Sequence, residues 1–193
     1  MTLEEAVEVL APALEGVALS VEAGPVGVAI RCACDRIPDV LWVLRDGPVP
    51  FDYFTFMTAV DRPAPEDPAS ARMDLHYHLR STNARMAALV TAEVPRDGAT
   101  APSVCDLYEG ARWHERECYD LLGVTFSGHP SLSRILLPDD WEGHPLRKDY
   151  REEDNEVTYT PEKRRPEFQA DRLPEPPPQA PKPAAGKKDQ PTD

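Results

Sequence analysis

The sequence predicts an α+β fold, in which a small mixed sheet flanked by helices is followed by a long ordered C-terminal arm and a Pro-rich disordered tail. Three observations support this prediction: short segments with helical periodicity, strand-length segments in which apolar and polar residues alternate, and a change to proline-rich composition after Tyr150. We expect an α+β domain at residues 1–122, the extended arm at 123–169 and the tail at 170–193. A chain of 193 residues is long enough to form a real core.

The N-terminal part predicts a helix, a hairpin and a second helix. Thr2 followed by Glu5 is the pattern of a capping box, and the apolar residues after it recur at helical spacing. Two β-rich segments, 17–21 and 26–30, are separated by a Gly-Pro turn and predict a hairpin. The apolar run within residues 35–46 has a proline near its start and a glycine after its end, which is typical of a helix.

Three further strands are expected. Residues 51–60 are rich in aromatic and β-branched residues. Apolar and polar residues alternate from Arg72 to Arg80, so this strand should have one buried and one polar face. Residues 85–94 should form the next strand, after a Ser-Thr-Asn turn.

Two loops and one short helix complete the central part of the chain. Residues 61–70 contain several prolines, which remove backbone donors, so we expect an exposed loop there. Residues 95–102 predict a second loop. Ser103 is suited to cap a short helix that ends at Glu109.

The chain is acidic, with 34 Asp and Glu residues against 21 Lys and Arg, and its formal net charge is −13. Such a field repels phosphate backbones, so nucleic acid is not an expected partner. Four cysteines without an apolar N-terminal signal segment indicate a reducing cytosol. No apolar run of about 18 residues or more occurs, so we expect contact with a membrane only through a partner.

Two groups of residues resemble parts of metal sites, but neither predicts one. Cys32 and Cys34 are too closely spaced for a usual zinc pair and have no second pair at similar spacing. Asp74, His76 and His78 lie on the polar face of one predicted strand, where a solvated surface is the favoured interpretation. The sequence also has no glycine-rich phosphate loop and no Gly-x-Ser-x-Gly elbow.

The helix predicted at residues 111–122 carries a carboxylate, Glu115, inside or beside its apolar face. A buried carboxylate must be paired, because an unpaired buried charge costs several kcal/mol. The expected partners are Arg112, Arg134 and Arg147. A structural ion pair is favoured over a general acid or base, while Glu117 and Asp120 are expected outside the apolar arc, facing solvent or a partner.

The loop after this helix is unusually long for a compact domain and rich in apolar residues. Its two Gly-His-Pro sequences predict rigid turns at His129-Pro130 and His144-Pro145. A single helical turn is expected at residues 139–141. The loop either forms a docking surface or folds back on its own domain, and both interpretations remain open together.

Two contiguous runs, WHERECYDLLGVTF at 113–126 and GHPSLSRILLPDDWEGHPLRKDY at 128–150, resemble the signature of the thirty-kilodalton subunit of respiratory complex I, which is called the C subunit in bacterial NADH-quinone oxidoreductase. The family usually has Val or Ile where this chain has Cys118, Phe where it has Leu122, and Arg or Lys where it has Ser133. The last difference removes a cation from an expected interface.

The resemblance implies a non-catalytic peripheral subunit of the hydrophilic arm of a proton-translocating complex, on the cytoplasmic face of the cell membrane in bacteria. It implies docking on the large quinone-site subunit of the forty-nine-kilodalton type, called the D subunit, which this chain would position. Contact with neighbouring iron-sulfur subunits is also implied. The complex contains FMN, iron-sulfur clusters and quinone, and none of them is expected to bind to this chain.

The predicted site therefore has no catalytic, cofactor-binding or metal-binding residue. The expected docking or structural residues are Trp113, Glu115, Arg116, Glu117, Asp120, His129, Pro130, Arg134, Trp141, His144, Pro145, Arg147, Lys148, Asp149 and Tyr150. One alternative is the equivalent subunit of a related membrane-bound hydrogenase or photosynthetic NDH-type complex. An alternative of another class is a stand-alone hydrolase that uses Glu115.

Overall fold

A computed structural model of the chain describes residues 1–151. The helices and strands are, in chain order, α1 (Leu3–Ala13), β1 (Ser20–Gly24), β2 (Gly27–Cys32), α2 (Ile37–Asp46), β3 (Tyr53–Arg62), β4 (Arg72–Ser81), β5 (Met86–Pro95), β6 (Thr100–Pro102), α3 (Ala111–Leu122) and β7 (Thr125–Ser127). The larger sheet has the strand order β1-β2-β5-β4-β3, and β6 pairs with β7. Because β2 and β5 are parallel and the other pairs of the larger sheet are antiparallel, the predicted mixed sheet of an α+β fold is confirmed.

The N-terminal elements form as the sequence predicts. The Thr2 hydroxyl accepts a hydrogen bond from the Glu5 amide at 3.2 Å, and the Glu5 carboxylate accepts one from the Thr2 amide at 2.8 Å. This reciprocal pair is a complete capping box at the start of α1. The predicted hairpin is the antiparallel pair β1 and β2, and the predicted second helix is α2, which a short 3₁₀ turn precedes.

The core lies on one face of the five-stranded sheet. The alternating residues of β4 that were expected inside, Met73, Leu75, Tyr77 and Leu79, are all fully buried. Apolar residues of α1 and α2 belong to the same buried cluster. Alternation in the sequence thus decides which face of β4 the helices cover.

The other face of β4 is less exposed than predicted. Asp74 is buried because Arg62 and Arg72 both donate to its carboxylate, at 2.8 and 2.9 Å. His76 contacts the Thr91 hydroxyl at 3.1 Å. The Asp74 carboxylate is therefore engaged by two arginines.

Two of the predicted loops contain strand residues, and both differences come from pairing distant in sequence. β3 continues through Asp61 and Arg62 and ends only at the prolines that follow. The Asp61 carboxylate is buried against Arg96, which holds this end of the strand in place. Residues 100–102, predicted as loop, form β6, which runs parallel to β7. Local sequence patterns contain no signal for a three-residue pairing of this kind.

The short helix predicted from Ser103 to Glu109 does not form. The amide of Tyr108 donates to the carbonyl of Val104 at 3.0 Å, which closes one turn only. The Ser103 hydroxyl accepts from the Cys105 amide at 3.3 Å and also donates to the Glu115 carboxylate at 2.7 Å. The local contact that the sequence suggested is therefore present, but the backbone after it continues for one turn only.

The helix α3 covers the edge of the larger sheet. β3 is the last strand in the sheet order, and α3 packs along it. The Cys118 sulfur lies 3.4 Å from the Met57 sulfur at this contact. Covering an edge strand with a helix removes a site at which another chain could add a strand, and it places α3 and the residues after it on one side of the molecule.

Residues 152–193 lie outside the part of the chain that the structure describes. The last part of the predicted arm and the predicted disordered tail fall there, and the division into residues 1–122, 123–169 and 170–193 stays a prediction. Within residues 1–151, no helix is long and apolar enough to cross a membrane.

Candidate functional site

The candidate site consists of α3 and residues 123–151, which we call the C-terminal arm. After β7 the arm has no further helix or strand, yet it is held along α3 by specific hydrogen bonds. The predicted rigid turns each contain a glycine with positive φ, 84° at Gly128 and 80° at Gly143. Where a single helical turn was expected at residues 139–141, the Trp141 amide donates to the Pro138 carbonyl at 3.1 Å and closes one turn, without a helix.

The buried carboxylate of Asp120 organises the middle of the arm. The backbone amides of Ile135, Leu136 and Leu137 donate to it at 3.0, 2.8 and 2.9 Å, and the Arg134 guanidinium donates at 2.9 Å. Burial raises the pKa of Asp120, but the three amides and the arginine outweigh burial and hold the pKa below its ordinary value. The expectation that Asp120 faces solvent or a partner is wrong, because the arm covers it completely.

The end of α3 is capped by the arm. A helix leaves the carbonyls of its last turn without intrahelical donors. The carbonyls of residues 120–122 instead accept hydrogen bonds from the His144 ring at 2.9 Å, the Leu146 amide at 3.0 Å and the Arg147 guanidinium at 2.8 Å. The positive charge of Arg147 is also favourable at a helix C-terminus. The arm thus completes a helix end that would otherwise need water.

Gly123 permits this close approach. It has a left-handed backbone, with φ 76°, and a Cβ there would lie 2.5 Å from His144 Nε2 and 2.7 Å from Arg147 Nη2. A left-handed conformation costs a non-glycine residue roughly 1–2 kcal/mol. Any larger residue must therefore both adopt a strained backbone and displace two groups that cap α3.

We expect Gly123→Ala to destabilise the chain by about 2–4 kcal/mol, which corresponds to a fall in Tm of roughly 5–15 °C for a domain of this size. Thermal unfolding followed by circular dichroism measures the change. Gly98→Ala is the matched control, because Gly98 also has positive φ, 66°, but a Cβ there meets nothing within 4 Å. An equal loss in both variants would show that the contact with the arm contributes nothing.

A second buried carboxylate holds the end of the arm. Asp61 accepts hydrogen bonds from the Arg96 guanidinium at 2.6 and 3.1 Å and from the Lys148 amide at 2.8 Å. Arg96 also pairs with Asp149. Burial raises the pKa of Asp61, but the donors from Arg96 and Lys148 outweigh it, so the pKa lies below its ordinary value. The arm is therefore anchored by two buried carboxylates as well as by the end of α3.

Glu115 is fully buried, as the sequence predicted, but its partners are different. The Ser103 hydroxyl donates at 2.7 Å, the Val104 amide at 2.8 Å and the Cys105 thiol at 3.4 Å. None of the ion pairs found within residues 1–151 includes Glu115, so the predicted pairing with an arginine is wrong. The residue fastens the 103–105 loop to α3, while Asp120 and Asp61 fasten the arm.

Both the sequence and the fold of the chain resemble those of known proteins. Residues 30–156, well over half of the chain, match the family model described as the 30 kDa subunit of respiratory-chain NADH dehydrogenase. The chain belongs to this family. The resemblance found in the two sequence runs is thereby confirmed.

Related proteins of this respiratory-chain family include the NADH-quinone oxidoreductase C subunit of Chlorobium phaeobacteroides, 44% identical over 121 residues that cover 61% of this chain and 69% of the relative. The C subunit of Salinispora tropica is 40% identical over 149 residues, which cover 77% of this chain and 58% of the relative. The C/D protein of Chromohalobacter salexigens is 38% identical over 115 residues, 58% of this chain and 19% of that protein. The relatives are thus subunits of an oxidoreductase complex of respiratory electron transport.

Two solved structures share the fold of this family member. One is a chain of the membrane-bound sulfane sulfur reductase, an archaeal respiratory membrane complex, with a TM-score of 0.61 and 25% identity over 77% of this chain and 86% of the other. The second is a trypsin-resistant fragment of Nqo5, with a TM-score of 0.55 and 26% identity, covering 68% of this chain and all of the fragment. The α+β architecture is therefore that of the family.

The predicted site residues of this family member fall into a buried group and an exposed group. Besides Glu115 and Asp120, which are buried, the half-buried group consists of Arg116, His129, Arg134, Trp141, His144, Pro145, Arg147 and Tyr150. Pro130, Lys148 and Asp149 are exposed on the arm. Trp113 and Glu117 on α3 are exposed, and the Arg116 guanidinium stacks over the Trp113 ring at 5.3 Å. Asp61, Arg96 and Ser103 were not predicted, because their partners are distant in the sequence.

Proposed function

We propose that the chain is a non-catalytic docking subunit of a proton-translocating NADH-quinone oxidoreductase, and that it positions the forty-nine-kilodalton-type D subunit. The observation that carries the proposal is the fixed arm: two buried carboxylates and the capped end of α3 hold a long irregular segment in one conformation. In a protein that works alone, fixing this segment would contribute to stability only. A docking subunit needs the segment in one defined position, because a partner binds to it.

The exposed part of the site has the composition of an interface. Trp113 on α3 and Leu136 and Leu146 on the arm have exposed fractions of 57%, 61% and 56%. Aromatic side chains are enriched at the centre of protein interfaces relative to the rest of the surface. Trp113, with a guanidinium stacked on one side, is the expected anchor.

The relatives support the D subunit as the partner. In the Chromohalobacter salexigens relative, the C and D subunits carry one name, C/D. A chain that contains both subunits keeps them tethered, which supports the proposal that the separate subunits are neighbours. Further contacts with neighbouring iron-sulfur subunits are part of the proposal.

In this role the chain contributes to quinone reduction only through assembly. FMN, the iron-sulfur clusters and quinone would be held by other subunits, and the chain would meet the cytoplasmic face of the membrane only through the complex. The likeness to the sulfane sulfur reductase chain favours one second candidate, the equivalent subunit of a related membrane-bound complex. The electron-input subunits that co-purify from native membranes would distinguish the two.

We expect Trp113→Ala to weaken binding to the D subunit by about 30-fold or more, which corresponds to roughly 2 kcal/mol for an interface anchor. Affinity between the two purified subunits, measured by calorimetry, tests this. Trp42→Ala is the matched control, because Trp42 is 55% exposed on α2 and carries the same stacked arginine three residues later. Equal weakening by both variants, or none by Trp113→Ala, would contradict the proposed surface.

A further inference from the structure

Folding brings three metal-ligating side chains together between the 103–105 loop, α3 and the first turn of the arm. Cys105 and Glu115 are buried, His129 is half-buried, and one ligand atom from each lies within 4.8 Å of the others. Thiolate, carboxylate and imidazole are the donors from which protein zinc sites are built. The three positions are irregularly spaced in sequence, so no motif could indicate them. The sequence-based candidates at Cys32 and His76 involve other residues.

The Glu115 carboxylate is a buried anion that forms no ion pair within residues 1–151, and the nearby Arg112 charge acts on the Cys105 thiol from beyond ion-pair distance. Its donors are a hydroxyl, an amide and a thiol, all neutral groups. In the described residues no lysine or arginine comes within ion-pair distance of it. A buried charge normally has an opposite charge or a metal ion beside it. A bound divalent cation would supply the charge that is missing.

His129 is held in a tautomer that suits a metal ligand. Its Nε2 lies 3.2 Å from the Arg112 carbonyl, which can only accept, so Nε2 carries the proton. Its Nδ1 accepts from the Ser131 amide at 3.0 Å and therefore carries a lone pair rather than a proton. Metal-binding histidines commonly donate one ring N–H to a backbone carbonyl while the other nitrogen binds the ion. Binding through Nδ1 replaces the Ser131 amide by the metal.

We propose that Cys105, Glu115 and His129 bind a zinc-class divalent cation that ties the arm and the 103–105 loop to α3. A sulfur and a nitrogen donor favour zinc or a similar metal over magnesium or calcium, which prefer oxygen ligands alone. A tetrahedral zinc ion has a fourth position, which the nearby Ser103 hydroxyl or a water molecule can occupy.

Binding breaks the S–H bond of Cys105, forms a metal–sulfur bond and releases the proton to solvent. Burial raises the pKa of the Cys105 thiol to about 11, and the Ser103 hydroxyl and the Arg112 charge oppose this rise only in part. Binding therefore releases one thiol proton for each ion bound.

Titration of the metal-free full chain with Co²⁺ tests the site, because a cobalt–thiolate bond gives a charge-transfer absorption in the near ultraviolet. We expect this absorption to saturate at one equivalent, to disappear in Cys105→Ser and to require at least ten-fold more Co²⁺ in His129→Asn. Zn²⁺ should displace the cobalt and raise the Tm of the wild type but not of Cys105→Ser.

Cys34→Ser is the control, since Cys34 is a half-exposed thiol in another part of the chain. It should bind Co²⁺ as the wild type does. The proposal is overturned if the wild type shows no thiolate absorption at saturating Co²⁺, or if the absorption survives in Cys105→Ser. The D subunit takes no part in this experiment, so its outcome is independent of the docking proposal.

Discussion

Replacing Asp120 by asparagine is expected to lower the stability of the chain by about 3 kcal/mol and to release the middle of the arm. The substitution keeps the shape of the side chain but removes the negative charge that three backbone amides and Arg134 share. It also turns an acceptor-only group into one with donors that face those amides. The loss is large because the carboxylate is completely buried.

Hydrogen exchange gives the most direct measurement. The amides of residues 135–137 should exchange slowly in the wild type, although they belong to no helix or strand, and rapidly in Asp120→Asn. Glu117→Gln is the control on the same helix, because Glu117 is exposed. If exchange at 135–137 were the same in wild type and Asp120→Asn, Asp120 would not be an anchor.

The same variant should change the dependence of stability on pH. Because the pKa of Asp120 is lower in the folded than in the unfolded chain, its stabilisation is present above about pH 4 and is lost as pH falls through the folded-state pKa. Wild type should therefore lose stability more steeply than Asp120→Asn below about pH 4. Asp61 has a lowered pKa as well, so the variant keeps part of the dependence.

Replacing Asp61 by asparagine should have a comparable effect at the other end of the arm, about 3 kcal/mol, because Arg96 loses a buried counter-charge. The Lys148 amide should lose its protection from exchange, while residues 135–137 keep theirs. Asp52→Asn is the control: this exposed aspartate also accepts two hydrogen bonds, both from Thr82, and its replacement should cost much less than that of Asp61.

The two anchors predict a functional difference that stability alone would not give. If the arm carries the docking surface, Asp120→Asn should weaken binding to the D subunit even at a temperature where the folded domain persists, since it frees the segment that presents Leu136. A variant with a detached arm and unchanged affinity would show that the arm is not part of the interface.

The sequence predicts those parts of the structure in which the cause lies nearby in the chain. The capping box at Thr2 and the alternation in β4 are local patterns, and both form as expected. The burial of Glu115 follows from its position on a helical face. These features need no knowledge of what packs against them.

The features that could not be predicted depend on distant segments. The helical pattern places Asp120 toward solvent until the arm folds over it. β6 exists only because β7 lies beside it. In each case a contact between distant segments outweighs a local conformational preference. A single sequence does not show which of the two is stronger.

The fixed arm has a consequence for how fast a complex can assemble. Ordering an irregular backbone costs about 1–2 kcal/mol of conformational entropy per residue. Here the hydrogen bonds to Asp120, Asp61 and the end of α3 meet that cost when the chain folds. A partner would then encounter a finished surface, so association needs no coupled folding step and differences in affinity should be expressed mainly in the dissociation rate.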